Sequence, residues 1–190
     1  MATYGIVVEG DYDVAALTEI IKKCLSNEIE VIQRRCGDKS QLMRKFPGYL
    51  ESFRYEKQGS PVDKAFVIRD ADNKETHTLL EEMKSKIAGR TYPFEIKFII
   101  IVQELETWLL TDEEAISRVT QSRSGRTVSK VNEDLESIIQ PKERLKKILS
   151  DAKVPYTAEV AREISKESDL LKIEYCCPGF KKFRQDVIDC

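Results

Sequence analysis

Residues 64–73 read Lys64-Ala65-Phe66-Val67-Ile68-Arg69-Asp70-Ala71-Asp72-Asn73. The apolar run predicts a buried strand over Lys64–Ile68, and the chain then leaves through a polar stretch holding two aspartates. The same signature flanks it. Upstream, Thr3–Val8 is a short apolar strand ending at Glu9-Gly10, and Glu30–Arg34 is a second strand closed by Gly37. Downstream, Phe94–Val102 is nearly continuous in its apolar character. Helical periodicity fills the gaps. Val14, Leu17, Ile20 and Ile21 recur after Asp11, a residue suited to an N-cap. Ser40 starts a helix carrying Leu42, Phe46 and Leu50, with Pro47-Gly48 expected to break or kink it. Thr76–Ile87 places Leu79, Leu80, Met83 and Ile87 on one face before Gly89 and Pro93.

The order β-α-β-α-β-α-β with apolar strands predicts an α/β fold, a mostly parallel four-stranded sheet sandwiched by helices. Beyond the fourth strand the pattern turns helical. Glu104–Leu110, Asp112–Arg118, Pro141–Leu149, Ala158–Ile164 and Phe180–Ile188 read as helices, and Thr120–Lys130 as a polar loop. Residues 1–112 therefore form the expected core and 113–190 a helical extension packed on it.

The chain has 190 residues, 41% of them hydrophobic and 34% charged, which supports a real core under a charged shell. Its net charge of −2 excludes a globally basic nucleic-acid binder but leaves room for a local basic patch. No apolar run approaches the roughly 20 residues of a membrane span, and the first residues lack a targeting core. A cytoplasmic protein with no membrane partner is expected. Five cysteines at irregular spacing and one histidine, His77, give no material for a zinc site. The thiols are expected to be reduced. With no Ser or Cys companion for His77, triad chemistry has no support.

What stands out is acid at strand ends. The first strand delivers Glu9, the third Asp70 and Asp72, the fourth Glu104 and Glu106, and Asp13 lies one helical turn beyond Glu9. In open parallel sheets ligands bind beyond these ends. Residues two apart on extended backbone point the same way, so Asp70 and Asp72 are expected to address one point. Any single acid there is accounted for equally well as a helix cap or a solvated surface charge. A converging set is another matter: two carboxylates about 4 Å apart repel by roughly 4 kcal/mol at an effective dielectric near 20. Such a cluster needs shared protons or a cation, and an all-oxygen donor set suits Mg²⁺ or Mn²⁺.

Two blocks, Val7-Val8-Glu9-Gly10-Asp11-Tyr12-Asp13 and Val67-Ile68-Arg69-Asp70-Ala71-Asp72, resemble the TOPRIM superfamily, the metal-binding domain of topoisomerases, primases and overcoming-lysogenization-defect nucleases. Cys36-Gly37-Asp38-Lys39 falls where such chains often carry a glycine. Glu106-Thr107-Trp108-Leu109-Leu110-Thr111-Asp112 and the late Cys177-Pro178-Gly179-Phe180-Lys181-Lys182-Phe183 are similar to motifs of a small TOPRIM-like family of uncharacterised prokaryotic proteins, the DUF4276 type. The resemblance implies a TOPRIM-like fold and divalent-metal-dependent phosphodiester hydrolysis, a nuclease with an anti-phage or nucleic-acid-processing role. In it Asp70 and Asp72 ligate metal and Glu9 ligates metal or moves a proton. Asp13, Glu106 and Glu104 are further candidate ligands. No Walker-type GxxxxGK[ST] exists, so a nucleotide-driven step would need a separate ATPase partner. The alternative is a non-catalytic metal- or nucleic-acid-binding regulatory subunit of such an ATPase or effector.

The nucleic acid, DNA or RNA, must meet basic residues. Arg118, Arg123, Arg126 and Lys130 lie in a stretch without acids from Ile116 to Asn132, expected as a flexible phosphate-holding loop. Lys39 is a further candidate at the sheet edge. Trp108 with Leu109 and Leu110 is expected in the core. A homodimer is compatible with these features.

Overall fold

The computed structural model of the chain describes residues 1–25, 29–128 and 138–189. Its centre is a four-stranded parallel sheet of β1 (Ala2–Val8), β2 (Ile29–Arg35), β3 (Lys64–Asp70) and β4 (Glu95–Ile101) in the order β2-β1-β3-β4. Each strand lies within two or three residues of its predicted span, because an apolar run with turn residues at both ends has few other ways to hide its backbone and side chains together. From β1 the chain moves to one side to make β2, then crosses back to place β3 on the other. The order of the sheet therefore reverses between β1 and β3.

Alternation along the strands divides the interior into two cores. Tyr4, Ile6, Val8, Phe66, Ile68, Ile99 and Ile101 face one side; Val7, Ala65 and Val67 face the other. The second face is covered by α2 (Lys39–Ser52) and α3 (Thr76–Ser85), through Leu42, Phe46, Leu50 and Met83. Pro47 sits inside α2 and does not end it. Burial of the fully enclosed Phe46 and Leu50 on either side of it offsets the roughly 3 kcal/mol that an interior proline costs. At the end of α2 the Phe53 ring packs on Gly5 of β1, so close that a Cβ there would stand 2.5 Å from it. Only glycine permits that approach.

The first face is covered by α1 (Asp11–Cys24) and by the chain after β4. This later part comprises α4 (Glu106–Leu109), α5 (Glu113–Ser124), α6 (Pro141–Asp151), α7 (Ala158–Glu167), α8 (Leu170–Cys176) and α9 (Pro178–Ile188). Its residues Leu145, Val160, Ile164, Ile173, Phe180 and Phe183 share one hydrophobic cluster with β1 and α1. Trp108 is buried as expected, its ring centred 4.9 Å from Phe180 and 5.0 Å from Phe183. The late Pro-Gly-Phe-Lys-Lys-Phe stretch is thus the start of α9, folded over Trp108.

Two local expectations need correction. Asp11 is not the cap of α1 but its first residue; Gly10 caps it, and the Asp13 carboxylate closes the turn by accepting the Gly10 N–H at 2.8 Å. The polar stretch from Thr120 is not a loop until Gly125. Helix α5 continues to Ser124 because Val119 and Thr120 extend its buried face, and Gly125 stops it with φ +71°. Among the described residues no helix is long and apolar enough to cross a membrane.

Candidate functional site

The carboxyl ends of β1 and β3 diverge at the reversal point of the sheet, where open α/β folds form their crevice. A cleft of about 400 Å³ lies there, walled by Glu9, Asp13, Asp70, Asp72 and Glu104 together with Lys39 and Lys142. Glu106 sits beside it, only 3% exposed. The structure thus gathers the acidic residues singled out from the sequence around one end of the sheet.

Asp70, the last residue of β3, lies at the centre of this charge. Burial pushes its carboxyl well above the usual range, and repulsion from Asp13, Glu106, Glu9 and Glu104 pushes it further. Among the described residues no hydrogen-bond donor reaches its side chain. Glu9 follows the end of β1. It is raised to about 7 by burial and by Asp13, against Lys39, Arg69 and the Asp70 N–H, which lower it. One of its oxygens, Oε1, is buried without a hydrogen-bond partner. Arg69, one residue before Asp70 on β3, is close enough to lower the Glu9 carboxyl; its buried Nε and Nη1 lack hydrogen-bond partners, Nη1 lying 3.6 Å from Glu82. Asp13 is raised to about 6 by burial and by Glu106, while the Gly10 N–H and Lys142 pull the other way.

The parity argument for Asp70 and Asp72 does not hold. The chain turns at once after β3, with Asp72 at φ +47° and Asn73 at φ +64°, left-handed conformations that Asp and Asn tolerate better than most residues. Asp72 reaches the cleft by this turn and pairs there with Lys39 of α2. Glu104 and Glu106 also have donors. Glu104 accepts the Lys142 N–H at 3.0 Å. Glu106 Oε1 accepts from the Tyr156 hydroxyl at 3.0 Å and lies 3.5 Å from Lys142 Nζ. Drawn aside in this way, no three His, Cys, Asp or Glu side chains among the described residues stand close enough together to hold one metal ion as they lie.

Lys142 and Tyr156 belong to the part after β4. Lys142 is the second residue of α6; its ammonium sits 4.6 Å from the centre of the Tyr12 ring and close to Asp13, Glu104 and Glu106. Burial and Glu106 push the Tyr156 phenol upward, so it stays protonated and donates. Neither residue was foreseen. A lysine after a helix-starting proline and a tyrosine in a connecting segment carry no local mark of what they meet 38 and 50 residues away.

Of the basic residues expected beside the cleft, Lys39 lies there, whereas Arg118, Arg123 and Arg126 lie elsewhere. Arg123 is on α5 and forms a two-pronged pair with Glu163 of α7 at 2.6 and 2.7 Å. Arg118 pairs with Glu167 at 2.9 Å, and Arg126 points to the Asp151 carbonyl at 3.4 Å. None of these three walls the acidic cleft. Lys130 lies outside the described residues. Cys24, Cys36, Cys176 and Cys177 are free thiols.

Among solved structures, the C-terminal region of the Burkholderia pseudomallei OLD protein resembles this chain at 16% identity and a TM-score of 0.48, over 98% of this chain and 99% of that one. No curated protein matches the sequence. Residues 8–188 match DUF4276, described as a domain of unknown function, and the chain belongs to that family.

Proposed function

We propose that the protein is a divalent-metal-dependent nuclease that hydrolyses phosphodiester bonds at the acidic cleft. The observation that carries this reading is Asp70, half-buried at the reversal point of the sheet among carboxylates, with no donor among the described residues. Such a group persists with a retained proton or with a bound cation, and a site that binds a cation gains from keeping it. The donors are all oxygen, which suits Mg²⁺ or Mn²⁺, and Glu9 Oε1 is a buried oxygen in want of a partner. The TOPRIM resemblance of the Glu9 and Asp70-Ala71-Asp72 blocks supports the same assignment.

In this reading Asp70, Asp72 and Glu9 hold the cation, with Asp13 and Glu106 beside them. Bound there, Mg²⁺ or Mn²⁺ lowers the pKa of water and polarises a phosphoryl oxygen. If Glu9 does not ligate the cation, its carboxyl, raised to about 7 in the metal-free cleft, is placed to take a proton instead. Lys39 and Lys142 are the cleft cations available to the phosphate, Lys39 once it leaves Asp72. The nucleic acid is DNA or RNA, and any coupling to ATP belongs to a separate partner.

The test is cleavage of DNA and RNA with Mg²⁺ or Mn²⁺, with an EDTA control. Glu9→Gln and Asp70→Asn should both abolish it, whereas equal activity in the wild type and both variants would trace the cleavage to a contaminant and end the proposal. A second reading is favoured by the scattered pairing of the acids, which leaves no three poised for one ion. It makes the protein a binding or regulatory subunit, and Mn²⁺ binding without cleavage of any nucleic acid would select it.

A further inference from the structure

The part of the chain after β4 reaches into the cleft at one carboxylate. Glu106 is 3% exposed, and its Oε1 takes both the Tyr156 hydroxyl at 3.0 Å and the Lys142 ammonium at 3.5 Å. No donor among the described residues reaches its Oε2. Tyr156 is itself fastened. It lies in the short segment between α6 and α7, its carbonyl accepts from the Tyr12 hydroxyl at 3.4 Å, and the two rings lie 4.9 Å apart. Helix α6 is docked at the same place: its N-cap Gln140 makes no side-chain cap bond, and the Glu104 carboxylate instead accepts the Lys142 N–H at 3.0 Å. Three separate segments (Gly10–Asp13, Glu104–Glu106 and Lys142–Tyr156) are thereby locked together.

We infer that Tyr156 is a positioning residue for the metal site, fixing Glu106 by one oxygen so that the other is presented to the cation. The inference rests on the metal reading above and adds to it that the site is completed by residues after position 140. Two donors on one oxygen orient a buried carboxylate and fix its rotamer. A partner in this role is worth more to ligand affinity than to folding, because the hydroxyl it supplies can be removed while the ring remains. Glu104, in contrast, is spent as the cap of α6 and holds the helix rather than the ion.

The experiment is Mn²⁺ titration of the full chain, followed by the electron paramagnetic resonance of free Mn²⁺, for the wild type, Tyr156→Phe and Asp70→Asn. Exposed Tyr175→Phe serves as a control for loss of a phenol; Tyr175 is 91% exposed. The expected result is a Kd raised roughly ten- to a hundredfold in Tyr156→Phe, with the melting temperature nearly unchanged and Tyr175→Phe identical to the wild type. If the wild type binds, Asp70→Asn does not, and Tyr156→Phe binds within twofold of the wild type, the positioning role is overturned while the metal site stands. Loss of affinity in proportion to a fall in melting temperature would make Tyr156 structural and also overturn it. If the wild type binds no Mn²⁺, or Asp70→Asn binds equally well, the metal reading falls and takes this inference with it.

Discussion

Two aspartates, Asp112 fully buried and Asp70 half-buried, receive opposite treatment from the same fold. Asp112 is 1% exposed at the start of α5, where burial alone would raise its pKa. Instead the Asp169 N–H at 2.8 Å, the Lys172 ammonium at 3.0 Å and the Ala115 N–H at 3.3 Å hold it below the usual range. Asp70 is half-buried at the cleft and is met by carboxylates, and its carboxyl is pushed upward. The difference separates two uses of a buried charge. Around Asp112 the protein supplies everything an ionised carboxylate needs, so that charge belongs to the architecture. Around Asp70 it supplies more of the same sign, which leaves that carboxyl to keep a proton or, in the proposed reading, to take a cation.

Substitution at the two sites should therefore fail in different currencies. The largest expected effect is on activity. Asp70→Asn should reduce metal-dependent cleavage by well over the roughly 10–100-fold typical of losing a group that only supports a ligand. Its melting temperature in EDTA should rise, since a neutral amide replaces a repelled carboxyl. A melting temperature that falls instead would mean that Asp70 is held by its surroundings after all. Asp112→Ala should show the reverse pattern. Losing a helix cap and leaving the Asp169 N–H without an acceptor should cost about 2–4 kcal/mol in urea unfolding, with Mn²⁺ affinity unchanged.

Titration sharpens the contrast, because the two sites depend on pH with opposite sign. The depressed Asp112 contributes stability that is fully present above its unfolded pKa of roughly 4 and is lost as pH falls through the folded value. Glu9, raised to about 7, and Asp13, raised to about 6, bind more protons folded than unfolded between pH ~4 and those values. Their contribution is therefore greatest in acid and declines as pH rises to about 7. In EDTA, Glu9→Gln should gain melting temperature relative to the parent as pH goes from about 5 to 7.5, and saturating Mn²⁺ should erase that gain. A gap that stays constant with pH would show that Glu9 ionises freely in the folded protein.

The contrast also marks how far the sequence reaches. Strands were legible because apolar runs such as Ala65–Ile68 and Phe98–Ile101 admit few placements, and Glu9 and Asp70 followed from standing where those runs end. Asp72 was legible as a cleft residue but not by its route, since the left-handed turn at Asp72-Asn73 replaced the extended backbone that parity assumes. The compensation of charge was hardly legible at all. Arg118 and Arg123 read as an open basic stretch because their partners Glu167 and Glu163 lie on α7, which tertiary packing alone brings against α5. Lys172 and Asp169 satisfy Asp112 from about 60 positions away in the same manner. Local spacing tells where an acid stands; which charges will face it depends on how distant helices pack.

The smallest effect decides what kind of compensation Asp112 enjoys. Lys172 is 40% exposed and shares its ammonium between Asp112 and Glu114, which is itself 75% exposed. An ion pair so open to solvent is screened and pays side-chain entropy, so Lys172→Met should cost less than about 1 kcal/mol. The two N–H donors, by contrast, are fixed by the backbone of α5 and of the segment entering α8, and they remain after the substitution. A small cost in Lys172→Met beside a large one in Asp112→Ala would show that oriented dipoles do most of the stabilising. Equal costs would show that the lysine does, and Asp112 would then be an ordinary ion pair that happens to lie deep. Only in the first case is the comparison with Asp70 a fair one, because then a carboxylate in this fold can be satisfied by the chain's own backbone, and the cleft is where that satisfaction is withheld.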